Sequence, residues 1–589
     1  MNKIKKRVIL IVMAFLLSSV LMGQSNYFVK SDASSSNNGS TWANAYTSLQ
    51  SALSLVSSGD KIYVAKGTYL PSNEVGGTGD SYKTFQLVNG VAVYGGLVGN
   101  EDMSTYDLDN RDFSTNQTIL SGDLGSSVFV YHVIRNEGVS LGASTILDGF
   151  TISDGKAVGS GDDAHGGGML NNYSSGYSNP NITNCIFSNN EAALGAAVYN
   201  SRYSNPTISY SDFENNTATT LGGAVYNFRN TPVFNHCTFT LNTVLSTSET
   251  HGGGAIYSAT SNAAEGPIIL NCIFTDNSVN TMFGKGGAIR SRLDPGQMMV
   301  EHCTFRNNEA LYGGAVYIES GNDDNRDDSD VQISDCVFEE NYAVYGGAIF
   351  NDRHHSILTS CIIRGNEAAE QAGGFYSRYA SSKLVNTLIS GNKSSKHGGG
   401  VYYNAEAGAE IINSTISGNN SGQRGGAISI VNTTTVNIKN TILWGNTSGS
   451  GNNIYISTVC TANVDYSLYG NEAGDINIVS GGALNASNCL TSNPSFIDAI
   501  APTGVNTPNL NGDYTLENTS LAIDAGSNAL VPPVLITDLV GNNRVIDGDD
   551  NSSAVVDMGA YEYDLSEVPL PISLVKFSAE RTHQGIKLT

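Results

Sequence analysis

Positive charge is the first scarcity. The chain of 589 residues carries 30 Lys+Arg against 54 Asp+Glu, a formal net charge of -24, and only 14% of its residues are charged. Four of the basic residues, Lys3, Lys5, Lys6 and Arg7, crowd the amino terminus. Nucleic-acid phosphates are bound by positive fields, so nucleic acid is excluded as a partner. Proline is scarce as well, at 13 residues, and the 65 glycines follow no collagen period. Glycine here must serve turns and close backbone approach. Hydrophobic residues make up 40%, too many for a disordered chain of such low charge. There is no C-x-x-C, no G-x-S-x-G and no H-E-x-x-H, so zinc and the common hydrolase motifs have no support. Beyond Met22 no apolar run reaches the length of roughly 18 residues that a spanning helix needs.

What is present begins with an export pattern. Lys3 to Arg7 leads into an apolar run from Val8 to Met22 and then Gly23-Gln24, the order of a secretory signal peptide. Residues 1–23 are expected to be cleaved, and the mature chain to leave the cytoplasm with no transmembrane span. The first cysteine is Cys185, so no lipid-modified cysteine follows the cleavage point.

Internal repeats organise the rest. One phrase, Gly222-Gly223-Ala224-Val225-Tyr226-Asn227, recurs with variants from Gly195, Gly253, Gly286, Gly313, Gly346, Gly399 and Gly425. A second phrase alternates with it, an apolar strand closed by F-x-x-N, as in Cys185-Ile186-Phe187-Ser188-Asn189-Asn190. Its cysteine slot runs Cys185, Ser211, Cys237, Cys272, Cys303, Cys336, Cys361, Thr387, Ser414, Thr441, ten coils at intervals of 26, 26, 35, 31, 33, 25, 26, 27 and 27. Insertions that lengthen one turn while the strands keep their pattern belong to a solenoid. Each unit holds two or three short period-two runs, too short to bury a face alone. Stacked in parallel, about 4.8 Å apart, they make a β-helix.

Alternation assigns the faces. Val198, Val225, Ile256, Ile289, Val316, Ile349, Val401 and Ile428 are uniformly aliphatic and point inward. The next position holds Tyr199, Tyr226, Tyr257, Arg290, Tyr317, Phe350, Tyr376, Tyr402 and Ser429. Arg290 and Ser429 would not sit unpaired in a core, so this parity points outward. In the second phrase the Cys and Phe slots point in, while Ile186, Thr238, Thr304 and Val337 point out. The F-x-x-N asparagines form a buried ladder at a turn.

The pairing of G-G-A-[VI] with F-x-x-N resembles the repeats of bacterial polymorphic outer-membrane proteins and of related right-handed parallel β-helix proteins of the pectin-lyase-like class. The resemblance covers about half the chain and implies an all-β fold, a right-handed parallel β-helix solenoid. The terminal barrel of the polymorphic family is missing. Tyr27 to Tyr69 reads as strand, turn, helix and strand, with a helical stripe of Tyr46, Leu49, Leu53 and Val56 and a strand at Lys61–Ala65; it resembles the small helix-containing cap of secreted bacterial β-helices. Asn493-Pro494-Ser495-Phe496, Leu521 to Gly526 and Asp557 to Tyr563 resemble the closing coils of choice-of-anchor secreted proteins of Bacteroidetes-type bacteria. Leu570 to Ala579 resembles the opening strand of the domain before a type IX sorting signal, which implies a chain cut short at Thr589 and attachment to the surface. The expected organisation is signal peptide 1–23, cap and first coils 24–145, repeats 146–448, C-terminal coils 449–563, and linker with the start of a sorting domain 564–589.

Six cysteines share one inward slot. In-register stacking sets them about 4.8 Å apart, beyond the usual β-carbon spacing of a disulfide, so they are expected to be buried free thiols that pack as small hydrophobes. Cys460 and Cys489 lie outside that ladder and form the only plausible bridge. Asp547-x-Asp549-x-Asn551 has the alternating oxygens of a calcium loop but carries Met558 where the loop needs its bidentate glutamate, so calcium is a candidate cofactor here. Asp323, Asp324, Asp327, Asp328 and Asp330 read as a solvated loop. His354-His355 reads as a surface pair.

No catalytic residue is assigned, because no neighbouring coils show matched outward carboxylates. The distinctive feature is the outward ladder of Tyr199, Tyr226, Tyr257, Tyr317, Phe350, Tyr376 and Tyr402, with Arg202, Arg229, Arg292, Arg353 and Arg378 four or five residues past the alanine slot. Tyrosine faces stack on sugar rings, and arginine forks suit carboxylate or sulfate; the same tyrosines also stabilise strands by stacking on one another. The expectation is a monomeric, secreted or cell-surface protein that binds a polysaccharide or matrix, as an adhesin does. The alternatives are a polysaccharide-degrading lyase or glycoside hydrolase of the same fold and a structural stalk.

Overall fold

The computed structural model describes residues 24–565 except 173–175, 246–247, 262–264, 281, 294–295, 321–330, 501–509 and 511, together with two strands at Ala579–Thr582 and Gly585–Leu588. The signal-peptide pattern, the acidic run Asp323–Asp330 and most of the Leu570–Ala579 stretch lie outside the described residues. The chain divides into two compact units, Met1–Asn325 and Arg326–Thr589.

Each unit is a right-handed parallel β-helix. A coil has four short strands rather than two or three. In the first unit one coil runs through Thr207–Ser209, Asp212–Glu214, Thr217–Leu221 and Val225–Phe228. In the second a coil runs through Ser382–Val385, Leu388–Ser390, Lys393–Ser394 and Val401–Asn404. The coil strands pair in parallel with their counterparts one coil on, as Val198 with Val225 and Phe187 with Phe213. The entry to the first unit is Asn26–Val29 paired with Lys61–Ala65, the strand expected there. The helix between them is Leu49–Leu53, with Leu49, Ala52 and Leu53 buried. It is shorter than its stripe, because Tyr46 is drawn into a parallel bridge with Val29.

The inward assignments hold. Val198, Val225, Ile256, Ile289, Val316, Ile349, Val401 and Ile428 are fully buried. Inward phenylalanines stack in file: Phe187, Phe213, Phe239, Phe274 and Phe305 have centroids 5.1, 4.5, 4.7 and 4.8 Å apart and nearly parallel planes. The glycine phrase has two separate causes. Gly222 sits at φ +64, where a side chain is strained, and a β-carbon on Gly223 would lie 1.9 Å from the carbonyl of Gly254 in the next coil.

The F-x-x-N asparagines are a closed hydrogen-bond ladder. Asn216 Nδ2 donates to Asn242 Oδ1 at 3.0 Å and to the Phe187 carbonyl at 2.9 Å, while Asn216 Oδ1 accepts from the Nδ2 and backbone N–H of Asn190. The same bonds link Asn366, Asn392 and Asn419 in the second unit. Each buried amide is thus satisfied by its neighbours, which is the condition for burying it at all. A second inward ladder, Asn136 to Asn171 to Asn200 to Asn227, runs along the fourth strand at 2.8–2.9 Å per step.

The cysteine slot is more than apolar filling. Cys185 Sγ donates to the carbonyl two residues back, as Ser211, Thr387 and Ser414 hydroxyls do. A side chain in this slot also accepts from the coil before, as Ser211 Oγ does from Cys185 N–H at 3.1 Å. Cys, Ser and Thr interchange because each bonds and none is large. No disulfide joins any of the eight cysteines. Cys489 belongs to this ladder after all, its Sγ donating to the Ser487 carbonyl at 3.0 Å. Cys460 stands at the opposite end of the first strand, before Thr461–Asp465, so the expected bridge does not form.

Past Ser487 and a last bridge at Leu490, the chain leaves the coil path. The segment read as closing coils folds back over the outer side of the second strands of its own unit.

Candidate functional site

The fourth strand and the turn after it carry the aromatic and arginine residues. Tyr199, Tyr226 and Tyr257 stack at 5.0 and 5.1 Å, and His165 extends the file at 4.7 Å from Tyr199. In the second unit Phe350 stacks on Tyr376 at 4.2 Å, and Tyr402 follows at 4.9 Å, tilted by 42°. The rings point away from the coil interior, as expected, but they are not a free surface. Tyr257 is 5% exposed, Tyr317 and Phe350 1%, Tyr376 4% and Tyr402 6%. Burial pushes the Tyr199 hydroxyl up to about 12 and that of Tyr226 higher still.

The covering comes from turn insertions and ion pairs. Arg290 lies over Tyr257, 5.4 Å from its centroid, and Lys285 lies over Tyr317 at 4.7 Å. Both cations bond Glu319, and Arg290 also donates to the Thr250 carbonyl. Arg290 is therefore 4% exposed and paired, contrary to the reasoning that an arginine in this file implies solvent. The two charges attract Glu319 strongly enough to hold its carboxyl below the usual range despite burial. Sequence spacing could not show this roof, because the insertion that carries Thr250 joins the third strand to the fourth and returns over the file.

The arginines do not make one ladder. Arg292 and Arg378 lie in the strand, three residues past the inward Ile289 and Phe375. Arg202, Arg229 and Arg353 lie four past Val198, Val225 and Ile349, in the turn, where Arg229 and Arg353 adopt φ 56 and 64. In the second unit Arg378 pairs with Asp352 at 2.8 Å and lies over Phe350, while Arg353 lies 3.8 Å from Asp352 and over Tyr379. In the first unit Arg202 and Arg229 both lie over Phe228, at 5.6 and 5.0 Å. Exposed tyrosines flank these turns, Tyr203 at 50% and Tyr379 at 47%. Sequence reasoning passed over Tyr203, Phe228 and Tyr379, although the dipeptides Arg202-Tyr203, Phe228-Arg229 and Arg378-Tyr379 were the available signal. His354 is no surface residue: it is 4% exposed, with Nδ1 2.9 Å from the His355 carbonyl.

Other polar ground lies on the first-strand face of the second unit. A groove of about 660 Å³ there is lined by Asn437, Lys439, Asn463, Asp465, Asn485 and Ser487. Its amides are engaged with one another, Asn485 to Asn463 to Asn437 at 2.9 Å each.

At the expected calcium loop, one carboxylate oxygen from each of Asp524, Asp547 and Asp549 lies within 4.8 Å of the others. Asn551 lies against them, its Nδ2 donating to Asp549 and its N–H to Asp547. Asp524 joins from 23 residues upstream of Asp547, with one oxygen accepting from Asp549 N–H at 2.8 Å and Oδ1 buried without a hydrogen bond. Burial, then the charge of Asp549, raises the Asp524 pKa. Three clustered carboxylates suit a hard, oxygen-seeking cation.

Among the described residues no helix is long and apolar enough to cross a membrane. Residues 211–227 and 335–352, one segment in each unit, match the Chlamydia polymorphic membrane protein repeat. No curated protein matches the chain. Among solved structures it is similar to pectate lyase Pel9A, with 13% identity, a TM-score of 0.27, and 93% of this chain and 98% of that chain covered. It is also similar to a complex of XylC with xylose, with 9% identity, a TM-score of 0.27, and 91% and 99% covered. At such TM-scores neither likeness bears on what this chain does.

Proposed function

We propose that this is an exported or cell-surface β-helix protein that binds a polysaccharide or matrix polymer, an adhesive rather than a catalytic role. The observation that carries this reading is the arginine and exposed tyrosine that each unit, taken by itself, places at the turn after the fourth strand: Arg202, Tyr203 and Arg229 in one, and Arg353 and Tyr379 in the other. The file of Tyr199, Tyr226 and Tyr257, half-buried in its first two members, and the buried file of Phe350 to Tyr402 support that turn. Export rests on the Lys3–Gly23 pattern and on a repeat shared with surface proteins. A row of weak contacts in register favours a long polymer over a monosaccharide. A glycan array of the purified protein, run with polymers and their component sugars, tests the reading. Binding to polymers that weakens several-fold in Tyr203→Ser/Tyr379→Ser is expected; a parent protein that retains no polymer, or a variant that binds as well as the parent, defeats it.

A further inference from the structure

Arginine is rare in this chain, and the structure neutralises most of it. Arg111 pairs with Asp148 at 2.7 Å, Arg135 with Asp163 at 3.0 Å and Arg364 with Glu339 at 2.9 Å. Arg202 and Arg229 are different. Among the described residues neither has a carboxylate within ion-pair distance, yet their guanidinium groups share one ring, Phe228. Two cations held against one small aromatic repel each other unless something negative lies between them. Arg229 Nε is moreover buried with no acceptor, and an unsatisfied buried donor is costly to keep.

The second unit shows what such a turn contains when it is complete. There Asp352, three residues past the inward Ile349, pairs with Arg378 in the next coil and lies beside Arg353. In the first unit that position holds Ser201, Phe228 and Ala259 in the coils at and beside Arg202 and Arg229, and a carboxylate only two coils further on, at Glu319, which is engaged with Arg290 and Lys285. The anion that the chain supplies to Arg353 and Arg378 is, among the described residues, not supplied to Arg202 and Arg229. Tyr203, half exposed, stands in the adjoining coil with its N–H bonded to the Arg229 carbonyl at 3.3 Å.

We propose that Arg202 and Arg229, braced by Phe228, form an anion clamp that takes a carboxylate or sulfate group of an acidic polysaccharide, with Tyr203 beside it as the sugar-stacking face. The inference rests on the polymer-binding reading and narrows it to acidic polymers. Guanidinium forks match both groups, and such contacts weaken as salt rises. The test uses the full mature chain, Arg202→Gln/Arg229→Gln and, separately, Phe228→Asp, which installs the internal anion of the other unit. Lys393→Gln, a surface cation on a third strand, is the control. Polygalacturonate, dextran sulfate and neutral dextran distinguish the carboxylate, sulfate and uncharged cases. Loss of about tenfold in affinity for one acidic polymer in both clamp variants, with Lys393→Gln and neutral dextran unchanged, is the expected result. Sodium sulfate alone provides the second readout: at equal concentration it should raise the melting midpoint of the parent more than that of the double variant. If the double variant holds acidic polymers as the parent does, the clamp is wrong while polymer binding stands. If sulfate discriminates the two proteins but no polymer binds, the clamp stands and the polymer reading falls. Equal sulfate shifts with no acidic-polymer binding overturn both.

Discussion

The outer side of the second strand is built twice in this chain, and the two versions differ. In the first unit the slot runs Ile186, Asp212, Thr238, Ile273 and Thr304 in register, half-exposed or, for Ile273, 47% exposed. In the second unit the same slot runs Ile362, Leu388, Thr415, Ile442 and Leu468, and its last four members are buried. The segment from Asn493 to Tyr563 makes the difference. Leu516, Ala522 and Met558 pack on Ile442 and Leu468, and Tyr514, Ala560 and Tyr561 pack on Leu388. Hydrogen bonds fix the placement: Ala560 N–H donates to Thr415 Oγ1 at 3.0 Å, and Asn440 exchanges bonds with Ser527. Gly559 approaches so closely, at φ +104, that a β-carbon would lie 2.9 Å from both Ile442 and Thr415. The inner wall keeps one pattern in both units, a small hydrogen-bonding residue, a large apolar one and a buried asparagine, so the coil is specified from inside. The outer residue records only what lies against it.

The largest expected effect breaks the covered version and spares the bare one. Leu388→Asp places an unpaired charge beneath Tyr514 and Ala560 and should cost about 3–5 kcal/mol. Thr238→Lys, in the matching slot beside Asp212, should stay within about 0.5 kcal/mol, as surface changes do. Urea denaturation with limited proteolysis measures both. Equal losses would mean that the covering segment is not seated where it is described.

Next comes the aromatic file. Tyr257→Ser removes a ring that is 5% exposed and stacked on Tyr226, and should cost about 2–3 kcal/mol. Tyr203→Ser, on the exposed turn, should cost almost nothing in stability. A melt in which Tyr257→Ser matches the parent would show that the file is open to solvent and able to meet a ligand directly.

That pair of tyrosines marks where the sequence was legible and where it was not. Period-two alternation distinguishes inside from outside, so Val225, Phe239 and Asn242 were placed by pattern alone. Alternation does not say whether the outside is wet. Tyr257 is roofed by Arg290 and an insertion whose path is not periodic. Arginine offsets of three and four look alike in a repeat alignment, but in a strand they differ by a face, so the single ladder split. Asp524 reaches Asp547 and Asp549 from a separate turn, a contact that no local motif encodes. The phrases Asn493–Phe496, Leu521–Gly526 and Asp557–Tyr563 supply Phe496, Ala522, Met558 and Ala560 to the covering layer, where stacked coils had been expected.

The thiols give a smaller effect that both units should share, because both have the same inner wall. Burial pushes Cys185 and Cys361 up to about 12 from 9.0. The folded state keeps these protons while the unfolded state releases them, so the stability they contribute is intact below pH 9 and is lost as pH rises from 9 toward 12. At pH 10 the loss is on the order of 1 kcal/mol for each thiol. Cys185→Ser and Cys361→Ser should flatten that part of the pH profile. Alkylation of the ladder thiols in the native protein at pH 8 should wait on unfolding. Rapid labelling of Cys361 but not Cys185 would show that the second unit's wall opens independently.

The smallest effect concerns the carboxylate cluster of the second unit. Asp524, Asp547 and Asp549 repel one another where the covering segment turns, and Asp524 Oδ1 has no donor. A divalent cation offsets both terms, and calcium, with its tolerance for irregular oxygen shells, fits three carboxylates from two turns better than magnesium does. Extracellular calcium modules of this kind bind near the millimolar range. At 5 mM calcium and a dissociation constant of about 1 mM, the gain is about 1 kcal/mol. Hydrogen exchange should therefore slow by several-fold at 524–551 and stay unchanged in the first unit's coils. Asp524→Asn should abolish that protection, whereas Asn551→Ala should retain most of it, because the Asn551 amide donates to Asp549 and offers the ion little. If Asn551→Ala abolishes protection and Asp524→Asn does not, the linear D-x-D-x-N loop is the ligand set, and the gathering of Asp524 is a consequence of packing alone.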